Sequence, residues 1–381
     1  MMSNFFKSLV IATLGICLTS WVSAQEIKAR LGTSLPEVHP QTIGARKFAE
    51  IVDKKSNGRI KITVYSSAQL GSDQQMQSAL RGGTQEFTVP STATLANLVK
   101  EFGVIGLPFS FSSERQADAV LDGPFGQSLM ARLPERDLVG LAFWENGFRN
   151  FTNSKRPIVK ADDLTGLKVR TMQNNLYIDL FNGLGANAVP MPVNELFTAL
   201  ETHAVDAQEN PFTVVHAQKF YDVQKYLSTT GHAYDALALI ASKKFWDGLK
   251  PEDRQLLLAA AQEATLYQRQ VSRELNSRTR SELVKLGMQI NDVSDAERHP
   301  KAVNQCCAGD SNLESQLGLR AVANIFETAV RGCHLFEFCK QSAGAQWPCL
   351  AVAHARLSAK SHLSIAPMLY ASVVPLTAIS R

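Results

Sequence analysis

Glu145-Asn146-Gly147-Phe148-Arg149, Gly166-Leu167-Lys168-Val169-Arg170 and Ala204-Val205-Asp206-Ala207-Gln208-Glu209-Asn210-Pro211 punctuate one stretch of the chain, residues 145–211. Between these segments the apolar pattern switches repeatedly from a period of two to a period near 3.6. Residues 167–171 alternate as a strand, 174–184 take helical spacing, 188–192 alternate, 193–202 are helical and 204–209 alternate again. Working outward, 27–32, 60–65 and 86–89 read as strands, and 42–55 and 72–82 as helices. Strands and helices that alternate about every 30 residues predict an α/β fold with a parallel sheet and helices on both faces. Beyond an apolar strand at 237–241, residues 251–286 read as one helix opened by Pro251-Glu252-Asp253. Such a helix is about 50 Å long, enough to back two lobes at once. We therefore expect two α/β lobes around a central cleft, with crossovers near Asn146 and near residues 230–236.

Charge and cysteine narrow the function classes. Residues 1–24 begin with Lys7 and an apolar run over 9–22, and they end on Val22-Ser23-Ala24, the pattern of a cleaved export signal. We expect cleavage after Ala24 and a periplasmic protein. Residues 25–300 hold 31 Lys and Arg against 31 Asp and Glu, and no cysteine. A body of zero net charge offers no general field for nucleic acid, so no nucleic-acid partner is expected. Anion selectivity would have to come from individual arginines in a pocket. A cysteine-free exported body fits a compartment in which it folds without disulfides.

Searches for catalytic chemistry return nothing usable. Gly183-Leu184-Gly185-Ala186-Asn187-Ala188 follows a helix and precedes a strand, whereas a dinucleotide fingerprint needs the reverse order. Asp162-Asp163 reads as a solvated turn pair, and His203, His216 and His232 lie too far apart, without cysteines, to make a zinc site. No enzyme, metal or cofactor is expected. Arg149 and Arg170 are the leading candidates for binding, because a guanidinium stays charged when desolvated and matches a carboxylate with two parallel bonds. An internal ion pair is the competing use of each. Asn210 precedes Pro211, which holds it extended and frees its amide for the cleft. Secondary candidates are Trp144 and Phe212 as walls, His39 in the first strand-to-helix loop, Ser91 and Thr92 after a strand end, and Tyr234 and Asp235 at the second crossover.

The three quoted segments, with Tyr65-Ser66-Ser67-Ala68-Gln69-Leu70-Gly71 and Leu107-Pro108-Phe109 in the same order, resemble the periplasmic solute-binding proteins of TRAP transporters. The resemblance covers about residues 25–298. It implies a two-lobed periplasmic-binding-protein-like fold, with lobe 1 from 25–146 and 236–275 and lobe 2 from 147–235 and 276–300. It implies that Arg170 grips the carboxylate of a mono- or dicarboxylate or a sugar acid, that Asn210 contacts the ligand, and that the partner is an ion-driven TRAP membrane permease. An ABC-importer binding protein, or a periplasmic sensor or enzyme on the same scaffold, is the alternative. The long helix after Pro251 favours the TRAP type.

The tail does not share this pattern. Residues 301–381 contain five of the six cysteines, 7 basic and 4 acidic residues, and little periodicity. The break falls abruptly after Ser294-Asp295-Ala296-Glu297-Arg298. It predicts a loss of reading frame in the coding sequence near this point, the other reading being a lineage-specific extension.

Overall fold

The computed structural model describes residues 26–294, 296 and 297; the expected export signal and the tail 301–381 lie outside them. Among the described residues nine strands form one sheet: β1 (Ile27–Gly32), β2 (Ile60–Tyr65), β3 (Phe87–Thr88), β4 (Leu138–Asn153), β5 (Lys168–Thr171), β6 (Asn187–Pro190), β7 (Ala207–Asn210), β8 (Tyr226–Ser242) and β9 (Gln289–Asp292). Their order is β2-β1-β3-β8-β4-β7-β5-β6, with β9 added to β8. The short strands read from the sequence fall within two or three residues of these bounds. The sheet differs from expectation in being mixed, because β4 and β8, of 16 and 17 residues, run antiparallel to each other along their length. Their small and polar residues, such as Glu145-Asn146-Gly147 and Thr230-Gly231-His232, interrupt the alternation and conceal two continuous strands.

This long ribbon organises everything else. β3 joins it only at Phe87↔Ala241 and Thr88↔Ile240, and β7 joins it at the other end through Asn150–Asn153. The parallel strands β1–β3 and β5–β7 are thereby held apart, one set at each end. Between them the β4–β8 register shifts at Glu145/Gly147 and again at Arg149/Phe151. Such bulges bend a strand and raise its twist, and Gly147 at φ +115° takes a conformation that a side chain would resist.

Side chains alternate across the ribbon into separate cores. Leu237, Leu239 and Ala241 join Leu31, Phe48 and Ile60 on one face. Ala236, Ala238 and Ile240 join Phe102, Leu121 and Phe143 on the other. Helices α1 (Pro40–Lys55), α2 (Asp73–Gly82), α3 (Asn175–Gly183), α4 (Val193–Glu201) and α5 (Phe212–Ala217) follow successive strands. The last long element, α6 (Pro251–Lys285), packs on α1, on β4 and on α5, so it touches both ends of the ribbon.

The face that α6 buries changes chemistry along its length. Leu257, Ala260, Ala261 and Ala264 pack into the first core, and Leu283 into the core around Leu196 and Leu227. Between them the buried positions are polar: Thr265, Gln268, Arg269, Ser272 and Thr279. They meet β4 where its ladder is broken. Gln268 donates to the Glu145 carbonyl at 2.7 Å and accepts the Glu145 N–H at 2.9 Å, supplying backbone partners where β7 does not reach. Arg269 donates to the Phe143 carbonyl at 2.9 Å, and Arg273 pairs with Glu145 and Asp118. Gly44 of α1 permits this approach, since a Cβ there would stand 2.6 Å from the Gln268 side chain.

Replacing Gln268 with leucine leaves the buried N–H and C=O of Glu145 without partners. Unmade buried hydrogen bonds cost about 1–3 kcal/mol each. Gln268→Leu is expected to lower unfolding stability by roughly 2–4 kcal/mol in urea with an unchanged m-value, and a loss below about 0.5 kcal/mol would refute the role given to this contact.

Candidate functional site

The strand ends converge on one cleft. Ser34 follows β1, Ser91 follows β3, Arg170 lies near the end of β5, Met191 follows β6 and Asn210 ends β7, and all of them line one cavity, whose empty space together with the solvent at its mouth is about 550 Å³. This is the carboxyl edge of each parallel set, where open α/β sheets place their ligands. The long ribbon contributes Asn146, Arg149 and Asp235 to the same cavity.

Arg170 is the group whose chemistry is unfinished. It is 2% exposed, yet the bonds it makes run from Nε and Nη2 to the Met191 carbonyl, at 2.9 and 2.7 Å. Among the described residues it forms no ion pair. Burial, and then the neighbouring Arg149, push its pKa down to about 10 against the opposing pull of Glu209, Asp73 and Asp235. It remains a cation at neutral pH, out of water and without an anion on its own fork.

Arg149 has the opposite environment. It is fully buried, its Nε and Nη2 bond the Glu209 carboxylate, and its Nη1 bonds Asp235 at 2.6 Å. Nη2 also reaches the Glu209 carbonyl at 2.5 Å and the Asn210 side-chain oxygen at 3.0 Å. Burial pulls its pKa down, but Glu209 and Asp235 outweigh this and the net shift is upward. Glu209 is driven up by burial and down by Arg149 and His232, and ends below the ordinary carboxylate value. Arg149 borders the cavity, but its fork is committed to internal carboxylates, so the expectation of a free ligand-gripping arginine is corrected here. Its competing use, an internal ion pair, is what the structure contains.

Asn210 is less free than the sequence suggested. Its oxygen accepts from Arg149 and its amide donates to Gln208 at 2.6 Å, because it sits in the β4–β7 ladder opposite Asn150 and not in a turn. Ser91 and Asp235 do line the cavity, joined to each other by a 2.6 Å hydroxyl-to-carboxylate bond. The remaining candidates are placed elsewhere. Trp144 is fully buried against α6 and donates to Thr265 at 3.0 Å, since its β4 position faces the first core. Tyr234 points to the opposite core, between Phe111 and Phe148. Thr92 begins a short buried helix, and Thr94, one turn face further, lines the cavity in its place. Phe212 packs with the α4–α5 core, leaving Val214 to line the cavity. His39 caps α1: its Nδ1 accepts the Gln41 N–H at 3.1 Å, and burial drives its pKa down to about 3.

Much of the lining was not singled out as binding residues in the sequence, Asn146 and Asp73 among it. Asn146 donates its amide to Asp235 at 2.7 Å, and Asp73 opens α2 with one carboxylate oxygen accepting the Ser91 N–H at 3.3 Å. The signal for Asp73 was its place: a helix N-terminus, behind the Ser72 cap, directly after the loop that leaves β2. Among the described residues no cluster of His, Cys, Asp and Glu is placed to hold a metal ion, and no helix is long and apolar enough to cross a membrane.

Residues 31–305 match the family described as bacterial extracellular solute-binding protein, family 7. The 2,3-diketo-L-gulonate-binding periplasmic protein YiaO of Escherichia coli K12 is 38% identical over 291 residues, 76% of this chain and 88% of that one. The sugar acid binding protein DctPAm of Advenella mimigardefordensis, solved with galactonate, superposes with a TM-score of 0.78 at 40% identity, covering 81% of this chain and 99% of that one. A TRAP periplasmic solute binding protein of Polaromonas sp. JS666, bound to D-erythronate, gives 0.75 at 39% identity, over 79% and 98% of the two chains.

Arg149→Met leaves Glu209 and Asp235 buried without their cation, and is expected to cost about 3–5 kcal/mol in denaturant unfolding; a variant as stable as the parent would show the pairs to be dispensable. His39 gives a pH signature. Its folded pKa lies below the unfolded value of 6.5, so the unfolded chain binds the extra proton and stability falls as pH drops below about 6.5. His39→Asn, a neutral cap, is expected to remove about 2 kcal/mol of the stability difference between pH 7 and pH 5. Identical pH profiles for the two proteins would contradict the buried neutral imidazole.

Proposed function

Because the chain belongs to the bacterial extracellular solute-binding protein family 7, we propose that it is an extracytoplasmic receptor that captures a small organic acid in the cleft described above. The observation that carries this reading is Arg170, a buried cation whose bonds among the described residues go to a backbone carbonyl. A carboxylate placed on it forms charge-assisted bonds worth roughly 1.5–3 kcal/mol each and removes the cost of an uncompensated buried charge. Arg149 acts as a positioning residue: held by Glu209 and Asp235, it fixes Asn210 beside the site and lends positive potential without taking the ligand on its own fork. The protein is exported through its N-terminal segment, with cleavage after Ala24, and works in the periplasm.

The proposed movement is hinge closure. Lobe 1 comprises residues 25–146 and 236–275 and lobe 2 residues 147–235 and 276–300, so the boundary on β4 falls within the register shift between Glu145 and Gly147. Ser91 and Asp73 come from one lobe and Arg170, Met191 and Asn210 from the other, so a ligand spanning the cleft bonds to both only when they meet. Differential contact of this kind shifts the population toward the closed form. The closed receptor then delivers its acid to a TRAP membrane permease.

The test is thermal unfolding of the exported chain against a panel of small organic acids. A ligand at about 100 times its dissociation constant adds roughly 2.7 kcal/mol and raises the midpoint by on the order of 5–10 °C. Arg170→Lys keeps the charge but loses the planar fork, and is expected to weaken binding by about 2–4 kcal/mol, roughly 30- to 1,000-fold. A cooperative melt that no acid displaces, or an unchanged affinity in Arg170→Lys, would overturn the assignment.

A further inference from the structure

The cleft holds a second unfinished chemistry, opposite in sign to the first. Among the described residues eight buried side-chain N or O atoms lack a hydrogen-bond partner. Of the residues that carry them, Asp73 and Asn146 are the two that line the cavity, and in both cases the free atom is Oδ1. The Asn146 assignment is fixed by its neighbour: its Nδ2 faces the Asp235 carboxylate at 2.7 Å, which leaves the oxygen as the free end. For Asp73 the other oxygen, Oδ2, takes the Ser91 N–H. Both free atoms are therefore acceptors only. Buried acceptors without donors are rare in folded proteins and are costly where they occur.

Resting on the receptor reading above, we infer that Asp73 and Asn146 accept hydroxyl protons from the ligand, so that the cleft takes a hydroxylated monocarboxylate and rejects a dicarboxylate. The charge balance of the lining agrees. Of the two arginines that line the cavity, Arg149 is matched by Glu209 and Asp235, which leaves the single fork of Arg170 for one carboxylate. A second carboxylate on the same ligand would meet the carboxylates of Asp73 and Asp235, and like charges in a desolvated site repel strongly. Burial above all, with a smaller push from Asp235, raises the Asp73 carboxyl to about 6 against the pull of the Ser34 hydroxyl, the Ser91 N–H and Arg170. A hydroxyl donated to Oδ1 has the opposite effect, since it stabilises the ionised form. An apolar acid fails for a different reason: it buries both acceptors without satisfying them. Sites built to bond a hydroxyl discriminate strongly against the analogue lacking it.

Calorimetric titration of the exported chain with two length-matched sets tests this: erythronate, butyrate and succinate, then galactonate, hexanoate and adipate. The polyhydroxy acid is expected to bind at least 100-fold more tightly than its two partners in at least one set. Asp73→Asn provides the second arm. Its amide oxygen stays on the Ser91 N–H, so its NH₂ replaces a free acceptor with a donor. The preference for polyhydroxy acid over dicarboxylate is expected to fall roughly 10- to 100-fold, with a cooperative melt confirming the fold. A merely structural role for Asp73 would weaken both ligands alike and leave the ratio unchanged, which overturns the inference. Succinate or butyrate binding within tenfold of erythronate, with the same parity in the longer set, also overturns it while leaving the receptor reading intact. If none of the six acids binds, the receptor reading fails and this inference falls with it.

Discussion

Arg149 has left water completely, and the fold around it is arranged to make that tolerable. A buried guanidinium needs both charge and hydrogen-bond acceptors, and here Glu209 and Asp235 supply the charge while the Glu209 carbonyl and Asn210 supply further acceptors. The three ionic residues come from β4, β7 and β8, at the point where the long ribbon is bulged. Removing any one leaves the others desolvated and unmatched, which costs more than the pairs themselves contribute. The network therefore fixes where the strands of the far lobe sit relative to the ribbon. It also spreads outward: His232 shares Glu209 at 3.2 Å, and Ser91 and Asn146 share Asp235.

The ribbon and α6 form the second level of organisation. β7 pairs with β4 only at Asn150–Asn153, and before that point Gln268 and Arg269 of α6 bond the β4 backbone while Arg273 pairs with the Glu145 carboxylate. In the proposed receptor this is the mechanical compromise a hinge requires. The backbone is irregular enough to bend there, yet its polar groups stay satisfied by a rigid helix that packs on both ends.

The two arginines of the cleft illustrate what decides a binding role. They are the same residue type, both buried and both at the cavity, and they differ in their partners: two carboxylates for Arg149, a backbone carbonyl for Arg170. Two acceptors with no donors, on Asp73 and Asn146, lie in the same cavity. A site in which one cation and two acceptors are unfinished is complementary to a ligand that carries one anion and several donors. This complementarity, and not the fold, is the physical basis of the proposed selectivity, since the same fold can house many ligands.

The sequence by itself determined the elements and much of their order. Short strands such as Ile60–Tyr65, helices such as Pro40–Lys55 and Val193–Glu201, and the 35-residue α6 were legible because their periodicity, proline and glycine signals act within a few residues. The segment ending in Arg170 and the order of the motifs were also enough to point to the family. Tertiary structure decided what depends on residues far apart in the chain. Whether an arginine is free or spent depends on carboxylates 60 and 86 residues away in the case of Arg149. Whether Trp144 and Tyr234 face a cleft or a core depends on which side of a bulged strand they occupy, and no local pattern encodes that register. β4 and β8 were themselves hidden, since their middles carry the polar residues of the site in place of an alternating apolar face. Local periodicity reports a residue's near neighbours along the chain, whereas a binding role is set by the partners that folding brings to it.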